Sequence, residues 1–198
     1  MPVNQTQTIV LRLDLATAAI RADAQVLSAA ERERAARFRF ETDRRRFIAA
    51  RARLRELLAV RLGLSPAAVR LVYGIDGKPE LEDHALQFNL SHSGDVAAFA
   101  FSRESRIGID IEEIRPVPEA DAIAASMFSR GERVWYAALP PGEKLRGFFR
   151  CWTRREAFLK MLGKGLLGPR SRTACRIEKL PAMPGFIGAV AYGGRGLA

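Results

Sequence analysis

The sequence predicts an α+β protein in which one order of elements, a strand followed by helices and then by strands, occurs twice. The two passages meet near Ser102–Arg106, so we divide the chain into an N-terminal half, residues 1–104, and a C-terminal half, residues 105–198. No clear sequence repeat accompanies this order. With 198 residues and a hydrophobic content of 48 %, the chain can form one domain of good size or two small ones packed together.

Composition limits the kinds of partner that we expect. The net charge of +10 and the pI near 10.5 indicate a polyanion: a nucleic acid, a phosphorylated cofactor or an acidic protein. Cys151 and Cys175 suit a reducing cytoplasm, and with two histidines a zinc site is not expected. The amino terminus lacks the pattern of a signal peptide, and no apolar run is long enough to cross a membrane. We therefore expect a cytoplasmic protein without a membrane partner.

The N-terminal half is predicted to begin with a strand at Thr8–Leu13. Ser28 and Thr42 are the residue types of helix N-caps, so a helix should follow each of them, the second ending at Gly63. The inward stripe of that second helix comprises Phe47, Ala50, Leu54, Leu57 and Leu58. The remaining predicted elements are a helical turn at Ser65-Pro66 and strands at Val69–Tyr73, Phe88–Ser91 and Val96–Phe101, the last two joined by a turn over His92–Asp95.

Basic side chains of this half are candidate contacts for an anion. Ten arginines lie between Arg32 and Arg55, and most of them should solvate an outer helix face. Arg46 and Arg51 flank the apolar residues 47–50, so they could instead lean over the edge of the core and hold a phosphate through paired hydrogen bonds. Lys78 is the single lysine of a predicted turn over Gly74–Pro79.

His92 lies next to Ser91, beside the predicted hairpin turn. Adjacent residues of a strand point to opposite faces, and no third partner is evident, so we exclude a hydrolase triad. A histidine here could donate to a phosphate or have no special role, and the sequence alone does not choose between these alternatives.

The C-terminal half opens with a strongly alternating strand over Ile107–Glu112. Its isoleucines share one face, whereas Gly108, Asp110 and Glu112 share the other, with the two carboxylates roughly 7 Å apart. Such a pair either faces water or binds a hard cation such as magnesium, which takes one or two carboxylates together with waters and phosphates. Three helices are predicted to follow. The first covers Glu119–Phe128, the second begins at a capping box formed by Ser129 and Glu132 and ends at Leu139, and the third covers Glu143–Gly163. Two strands are predicted after them, at Ala174–Glu178 and Phe186–Tyr192.

The stretch Phe148–Leu166 carries a carboxylate where an apolar side chain is expected. On a helical projection Glu156 falls within the stripe formed by the aromatic residues and leucines, and Lys160 follows one turn later. The opposite direction is predicted for Arg150, Arg154 and Met161. Glu156 and Lys160 could be a surface pair, but an inward carboxylate needs a cation or a proton, which favours a site residue. Gly163 and Gly165 should end the helix.

Two motifs about forty residues apart resemble the signature pair of the 4'-phosphopantetheinyl transferases. They are GIDIE at Gly108–Glu112 and WTRREAFLKMLGKGL at Trp152–Leu166, and the similarity is greatest to the single-chain, two-lobed type that activates peptide synthetases. Supporting motifs in the same order are RRRFIAARARLR at Arg44–Arg55, GKP at Gly77–Pro79 and FNLSHSG at Phe88–Gly94.

The resemblance implies two α/β lobes related by a pseudo-twofold axis, with the active site at their interface. It implies transfer of phosphopantetheine from coenzyme A to a serine of a carrier protein, with magnesium bound by Asp110, Glu112 and Glu156. The contacts implied for coenzyme A are Lys160, Lys78, Ser91, His92 and Arg46, with Arg51 and Arg34 as further candidates. Two departures from the family pattern are an arginine, Arg155, where a lysine usually precedes the helix glutamate, and an early end of the chain after Tyr192.

These assignments lead to a mechanistic hypothesis. The serine hydroxyl attacks the β-phosphorus, Lys160 stabilises the leaving-group oxygens, and Glu156, directly or through a bound water, is the general base. The remaining arginines should attract an acidic carrier domain, and a monomer is expected because both lobes lie in one chain. The alternatives are a relative that binds coenzyme A or a carrier without turnover, and a basic nucleic-acid-binding protein that uses the helices of Arg32–Arg55. The carrier, the tolerance of acyl-coenzyme A and the choice of magnesium or manganese stay open.

Overall fold

The computed structural model describes residues 6–74, 77–163 and 174–193. The N-terminal half contains β1 (Gln7–Arg12), α1 (Thr17–Val26), α2 (Ala29–Ala36), α3 (Glu41–Leu62), a single 3-10 turn (Pro66–Ala68), β2 (Leu71–Tyr73), β3 (Pro79–Leu81), β4 (Gln87–Ser93) and β5 (Val96–Ser102). The C-terminal half contains β6 (Ile107–Glu113), α4 (Ala120–Met127), α5 (Arg130–Ala137), α6 (Pro141–Leu162), β7 (Cys175–Lys179) and β8 (Phe186–Gly193). The predicted mixture of helices and small sheets is confirmed.

Each half contributes one three-stranded antiparallel sheet. The strand order is β1-β5-β4 in the first sheet and β6-β8-β7 in the second, and β2 and β3 form a separate pair. In each sheet the central strand is the last strand of its half, β5 or β8, and it pairs with the first strand of that half, β1 or β6. The order of elements expected from the sequence is therefore present in both halves.

The central strand β5 joins the cores of the two halves. Every residue of β5 is buried, as expected of a strand covered on both faces. Phe99 and Phe101 pack against Leu54 and Leu58 of α3, whereas the alternate residues of β5 pack against the isoleucines of β6. The two sheets therefore share one apolar layer, and this layer fixes the position of β6 relative to β4.

Helix α6 lies directly on the polar face of β6. A Cβ atom built on Gly108 would lie 2.1 Å from the carbonyl oxygen of Ala157 and 2.3 Å from the backbone nitrogen of Met161. The predicted direction of Met161 is wrong, because its side chain is buried against Ala189 and Ala191 of β8. Small residues on the strands let the helix approach closely, so its buried face is wider than the apolar stripe in the sequence suggests.

Several helix ends were correctly predicted from local signals. Ser28 and Ser129 form capping boxes with Glu31 and Glu132. Gly63 and Gly163 end α3 and α6 in the left-handed conformation, with φ of 69° and 66°. Gly165 and Leu166, which were included in the predicted helix end, lie outside the described residues.

Other boundaries differ from prediction. Helix α3 begins at Glu41, so Thr42 lies within it and is not its N-cap. Helix α6 begins at Pro141 because a proline is well tolerated in the first turn, where its missing N–H has no helical partner. Strand β4 continues to Ser93, so the hairpin turn is shorter than the predicted turn over His92–Asp95. Helix α1 and strand β3 were not predicted. Within the described ranges, no helix is long and apolar enough to cross a membrane.

Candidate active site

Strand β6 presents two carboxylates toward β4 and α6. Alternation places Ile107, Ile109 and Ile111 in the core, as predicted, and directs Asp110 and Glu112 to the opposite face. Asp110 is buried and Glu112 is half-buried. Burial raises the pKa of Asp110, and burial together with the charge of Asp110 raises the pKa of Glu112.

Helix α6 adds a third carboxylate and a cation. The side chain of Glu156 is half-buried, and burial, followed by the charge of Asp110, raises its pKa. The ammonium of Lys160 donates to Asp110 Oδ1 at 2.7 Å and to Ser91 Oγ at 3.0 Å. Ser91 in turn donates to Asp110 Oδ1 at 2.9 Å. Side chains of both halves therefore converge on Asp110.

The three carboxylates are not fully compensated. Asp110 Oδ2 and Glu156 Oε1 are buried and have no hydrogen-bond partner among the described residues. Burial and the charge of Asp110 raise the pKa of both Glu112 and Glu156. Together these effects outweigh the opposing charges of Lys160, Arg115 and Arg155. Uncompensated buried carboxylates are costly in a fold, so this cluster is a candidate for binding a cationic or proton-donating partner.

A cavity of about 290 Å³ opens beside Lys160. Its wall combines cationic and hydroxyl groups with two aromatic rings and consists of Arg34, Phe38, Phe47, Ala50, Arg51, Leu90, Ser91, His92 and Lys160. Arg34 and Phe38 also line a second, more open depression, together with Arg37 and Tyr73. The two spaces form a path of cationic and aromatic side chains that ends at Ser91 and Lys160, both of which donate to Asp110.

Arg51 lies at the back of this cavity. Its guanidinium is buried between the rings of Phe47 and Tyr73, at 5.4 Å and 5.8 Å from their centroids. Its Nε and Nη1 atoms have no hydrogen-bond partner among the described residues, and the nearest carboxylate oxygen, on Glu31, is 3.7 Å away. Glu31 instead binds the neighbouring Arg55 at 2.7 Å. Arg51 therefore contributes a guanidinium to the cavity wall, and two of its buried nitrogens have no hydrogen-bond partner among the described residues.

Arg46 and His92 lie at the mouth of the cavity. Arg46 is paired with Asp95 at 2.9 Å and does not itself line the cavity. His92 does line it, although part of the ring is open to solvent. Desolvation and the positive charges of Lys160 and Arg46 lower the pKa of His92. An anion entering the cavity would offset this repulsion.

Lys78 is placed differently from the other predicted contacts. Its ammonium donates to the backbone carbonyl oxygens of Lys160 at 3.1 Å and of Ile107 at 3.5 Å. Burial lowers its pKa. Lys78 thus lies behind the last turn of α6, where a cation interacts favourably with the helix carbonyls. Its predicted contact with coenzyme A stays a prediction.

The carboxylates are chemically suited to magnesium. Within residues 6–74, 77–163 and 174–193, no three His, Cys, Asp or Glu side chains are arranged so that they could hold a metal ion as they stand. However, magnesium needs only one or two carboxylates when waters and phosphates complete its shell. The unpartnered oxygens of Asp110 and Glu156 and the mutual repulsion of the cluster are what a hard cation would relieve. The donor set therefore fits, and magnesium binding stays a prediction.

Sequence reasoning missed two polar residues of β4 that form hydrogen bonds with β6. Asn89 Oδ1 accepts a hydrogen bond from the backbone N–H of Ile109 at 2.9 Å, and Ser93 Oγ donates to Glu112 Oε2 at 2.9 Å. Ser93 was assigned to a turn, which hid its place on the same face of β4 as Ser91. The alternation of Asn89, Ser91 and Ser93 is the signal that could have identified them.

Comparison with known proteins covers both halves of the chain. Residues 16–104 match the family described as 4'-phosphopantetheinyl transferase, N-terminal. Residues 106–189 match the 4'-phosphopantetheinyl transferase superfamily.

Individual relatives carry the same name. The 4'-phosphopantetheinyl transferase HetI of Nostoc sp. is 42 % identical over 147 residues, which cover 72 % of this chain and 62 % of HetI. AcpT of Salmonella typhimurium is 46 % identical over 101 residues, which cover 50 % of this chain and 52 % of AcpT. The ffp protein of Bacillus subtilis is 30 % identical over 154 residues, which cover 77 % of this chain and 67 % of ffp. The chain thus spans between about half and two thirds of these relatives, and it belongs to the 4'-phosphopantetheinyl transferase superfamily.

Proposed function

We propose that this protein transfers the 4'-phosphopantetheine arm of coenzyme A to a serine hydroxyl of an acyl or peptidyl carrier protein. The reaction releases adenosine 3',5'-bisphosphate and converts the apo carrier to its holo form. The observation that carries this proposal is the convergence of a cation-lined cavity with three carboxylates at Asp110. The cavity would suit a phosphorylated nucleotide, and the carboxylates would suit a metal-assisted attack on its pyrophosphate.

The nucleotide would enter the cavity with its phosphates toward Lys160. Ser91, His92 and Arg51 line this space and offer donors to phosphate oxygens, and Arg34 does so from the side shared with the outer depression. Arg46 would contribute after exchanging its partner Asp95 for a phosphate. Phe38 and Tyr73 offer flat apolar surface for the base.

Asp110, Glu112 and Glu156 would hold magnesium. When bound, the ion would neutralise charge on the pyrophosphate and stabilise the charge that develops as the bond to phosphorus breaks. Lys160 lies within hydrogen-bond distance of Ser91 and Asp110, so its ammonium is placed to stabilise leaving-group oxygens on the cavity side.

Glu156 is our candidate for the general base. Burial and the neighbouring carboxylates raise its pKa, which brings it closer to neutral pH and improves proton transfer from a serine hydroxyl. Its buried Oε1 has no hydrogen-bond partner among the described residues, so the carboxylate keeps an unused acceptor.

We propose that the halves, residues 1–104 and 105–198, act as two lobes related by a pseudo-twofold axis, with the active site between them. The common strand order of the two sheets supports this relation. Ser91 and His92 come from the first half, whereas Asp110 and Lys160 come from the second, so one chain supplies both sides of the site. This arrangement is consistent with a cytoplasmic monomer.

The decisive test is the intact mass of an apo carrier after incubation with the protein, coenzyme A and magnesium. We expect a gain of one phosphopantetheine arm, abolished by a chelator. Lys160→Met should abolish the gain, whereas Lys179→Met, at an exposed lysine of β7, should not. No gain across several carrier types, with folding and coenzyme A binding confirmed by calorimetry, would favour the non-catalytic alternative. Absence of coenzyme A binding together with retention of nucleic acid would favour the nucleic-acid-binding alternative.

The partner proposed for the basic surface is an acidic carrier domain. With a net charge of +10, long-range attraction should speed the encounter, and this attraction is screened by salt. We expect the KM for the carrier to rise about fivefold or more between 0.05 and 0.5 M salt, with a smaller change in kcat. A carrier KM that does not depend on salt would contradict electrostatic recruitment.

A further inference from the structure

Three alternate residues of β4 connect the two halves through their side chains. Strands β4 and β6 belong to different sheets, although they lie side by side. Asn89 accepts from the backbone of β6, Ser91 donates to Asp110, and Ser93 donates to Glu112. We name Asn89, Ser91 and Ser93 the β4 seam.

Ser93 makes two hydrogen bonds that together determine how its hydroxyl is oriented. Its Oγ donates to Glu112 Oε2 at 2.9 Å and accepts from the backbone N–H of Glu113 at 3.0 Å. A hydroxyl has one proton, so acceptance from Glu113 directs that proton toward the carboxylate. The same contact fixes the end of β6 from which Glu112 projects.

Ser93 differs from Ser91 in what it faces. Ser91 lines the cavity and contacts Lys160, so its substitution would disturb the proposed nucleotide contacts directly. Ser93 is half-buried, is absent from the cavity wall and reaches only Glu112 and Glu113 among the described residues. An effect of Ser93 on the site must therefore pass through Glu112.

We propose that Ser93 is a positioning residue that orients the Glu112 carboxylate and thereby sets the affinity of the cluster for a divalent cation. This inference rests on the proposed function, in which Glu112 is a metal ligand. Hydrogen-bond partners that orient a ligating carboxylate typically change metal affinity by about 10- to 100-fold when they are removed. Ser91 already restrains Asp110, so Ser93 supplies the matching restraint for Glu112.

The test is a titration of the intact protein with Mn²⁺ in the presence of coenzyme A, followed by electron paramagnetic resonance. We expect Ser93→Ala to weaken Mn²⁺ binding by about 10- to 100-fold and Ser93→Thr, which keeps the hydroxyl, to retain most of the affinity. The dissociation constant of coenzyme A measured without metal should stay within about twofold, since Ser93 does not line the cavity.

Asn89→Ala provides the matched control within the β4 seam. It removes a buried bond to the backbone of β6 and should lower the melting temperature, yet leave Mn²⁺ affinity within about threefold. In transfer assays Ser93→Ala should raise the magnesium concentration for half-maximal rate, with kcat at saturating magnesium reduced much less. A purely structural role would lower the melting temperature without this shift.

Each outcome has a distinct meaning. Unchanged Mn²⁺ affinity in Ser93→Ala, or an equal loss in Asn89→Ala, would overturn the inference about Ser93. A wild-type protein that binds no Mn²⁺ even with coenzyme A would overturn it as well. The proposed function is tested separately by the mass gain of the carrier, so a protein that transfers phosphopantetheine normally could still refute the role of Ser93.

Discussion

Two buried ionic clusters in the described part of the chain differ in how completely their charges are matched. In the first, Glu31 accepts from Arg55 Nε at 2.7 Å and from the backbone of Ser28 at 2.8 Å. Arg55 also donates to two backbone carbonyls, those of Pro66 and Val69. In the second, Lys160 donates to Asp110, whereas Glu112 and Glu156 keep a raised pKa despite the charges of Lys160, Arg115 and Arg155.

The difference separates a cluster that joins elements of the fold from the cluster proposed to bind a cation. In the first, the close pair of Glu31 and Arg55 joins α2, α3 and the following turn; the other oxygen, Glu31 Oε1, has no hydrogen-bond partner among the described residues but lies 3.7 Å from Arg51 Nε. In the second, three carboxylates lie together, and the unpartnered oxygens of Asp110 and Glu156 could be used by a cation. Arg51 lies between these extremes, because it is close to Glu31 and also lines the cavity.

The largest effect is expected from Glu156→Gln in the unmatched cluster. Loss of the base should reduce kcat by about 10³-fold, within the range typical for general base catalysis, while coenzyme A binding survives. Because the substitution removes one of three repelling charges, the free energy of unfolding should stay constant or increase. Single-turnover transfer and denaturant unfolding measure the two quantities. A near-normal rate would remove Glu156 from the role of base.

Arg55→Met in the matched cluster should act on stability. It leaves Glu31 buried without its partner, which typically costs about 3–5 kcal/mol in the free energy of unfolding. The matched control is Arg53→Met on the same helix, whose pair with Glu56 is exposed and should contribute less than about 1 kcal/mol. Urea denaturation checks both variants. Similar losses in the two would show that burial does not distinguish the pairs.

Arg51→Met tests the intermediate case. We expect the dissociation constant of coenzyme A to rise about tenfold or more, corresponding to about 1.4 kcal/mol or more, because a guanidinium of the cavity wall is lost. Stability should change little, since Glu31 keeps Arg55. Isothermal titration calorimetry with Arg53→Met as the control measures this. Strong destabilisation with unchanged affinity would assign Arg51 to the structural cluster.

The smallest predicted effect is the pH dependence of folding stability that His92 causes. Desolvation, Lys160 and Arg46 lower the pKa of His92 in the folded protein, so the unfolded chain takes up this proton first as the pH falls below about 6.5. The folded state should therefore lose a small amount of stability on acidification, because solvent screens the exposed part of the ring. Comparison of unfolding at pH 7.5 and 5.5 in wild type and His92→Asn isolates this contribution. An equal pH dependence in both would contradict it.

Local signals explain what could be predicted from the sequence. The capping boxes at Ser28 and Ser129 and the glycine ends of α3 and α6 depend on neighbouring residues only. The alternation of β6 likewise identified the face that carries Asp110 and Glu112. These features required no knowledge of distant contacts.

The remaining features depend on tertiary contacts. Met161 is buried because α6 packs onto small residues of β8, and nothing in the helix itself indicates this. The pairing of Glu31 with Arg55 bridges two helices, so in a run of ten arginines the two buried ones, Arg51 and Arg55, could not be distinguished by spacing. The role of Ser93 depends on β4 lying beside β6, which belongs to another sheet.

The contact of Gly108 with α6 also has a consequence for the adaptability of this protein. Any side chain at this position would collide with backbone atoms of Ala157 and Met161, so the wall that bears Asp110 and Lys160 has no room for variation. Variation in the cavity must come from the opposite wall, which is formed by side chains such as those of Phe38 and Phe47. Selection for activity with altered nucleotide analogues should therefore yield substitutions on α3 and on the segment that precedes it, and should leave Gly108 of β6 unchanged.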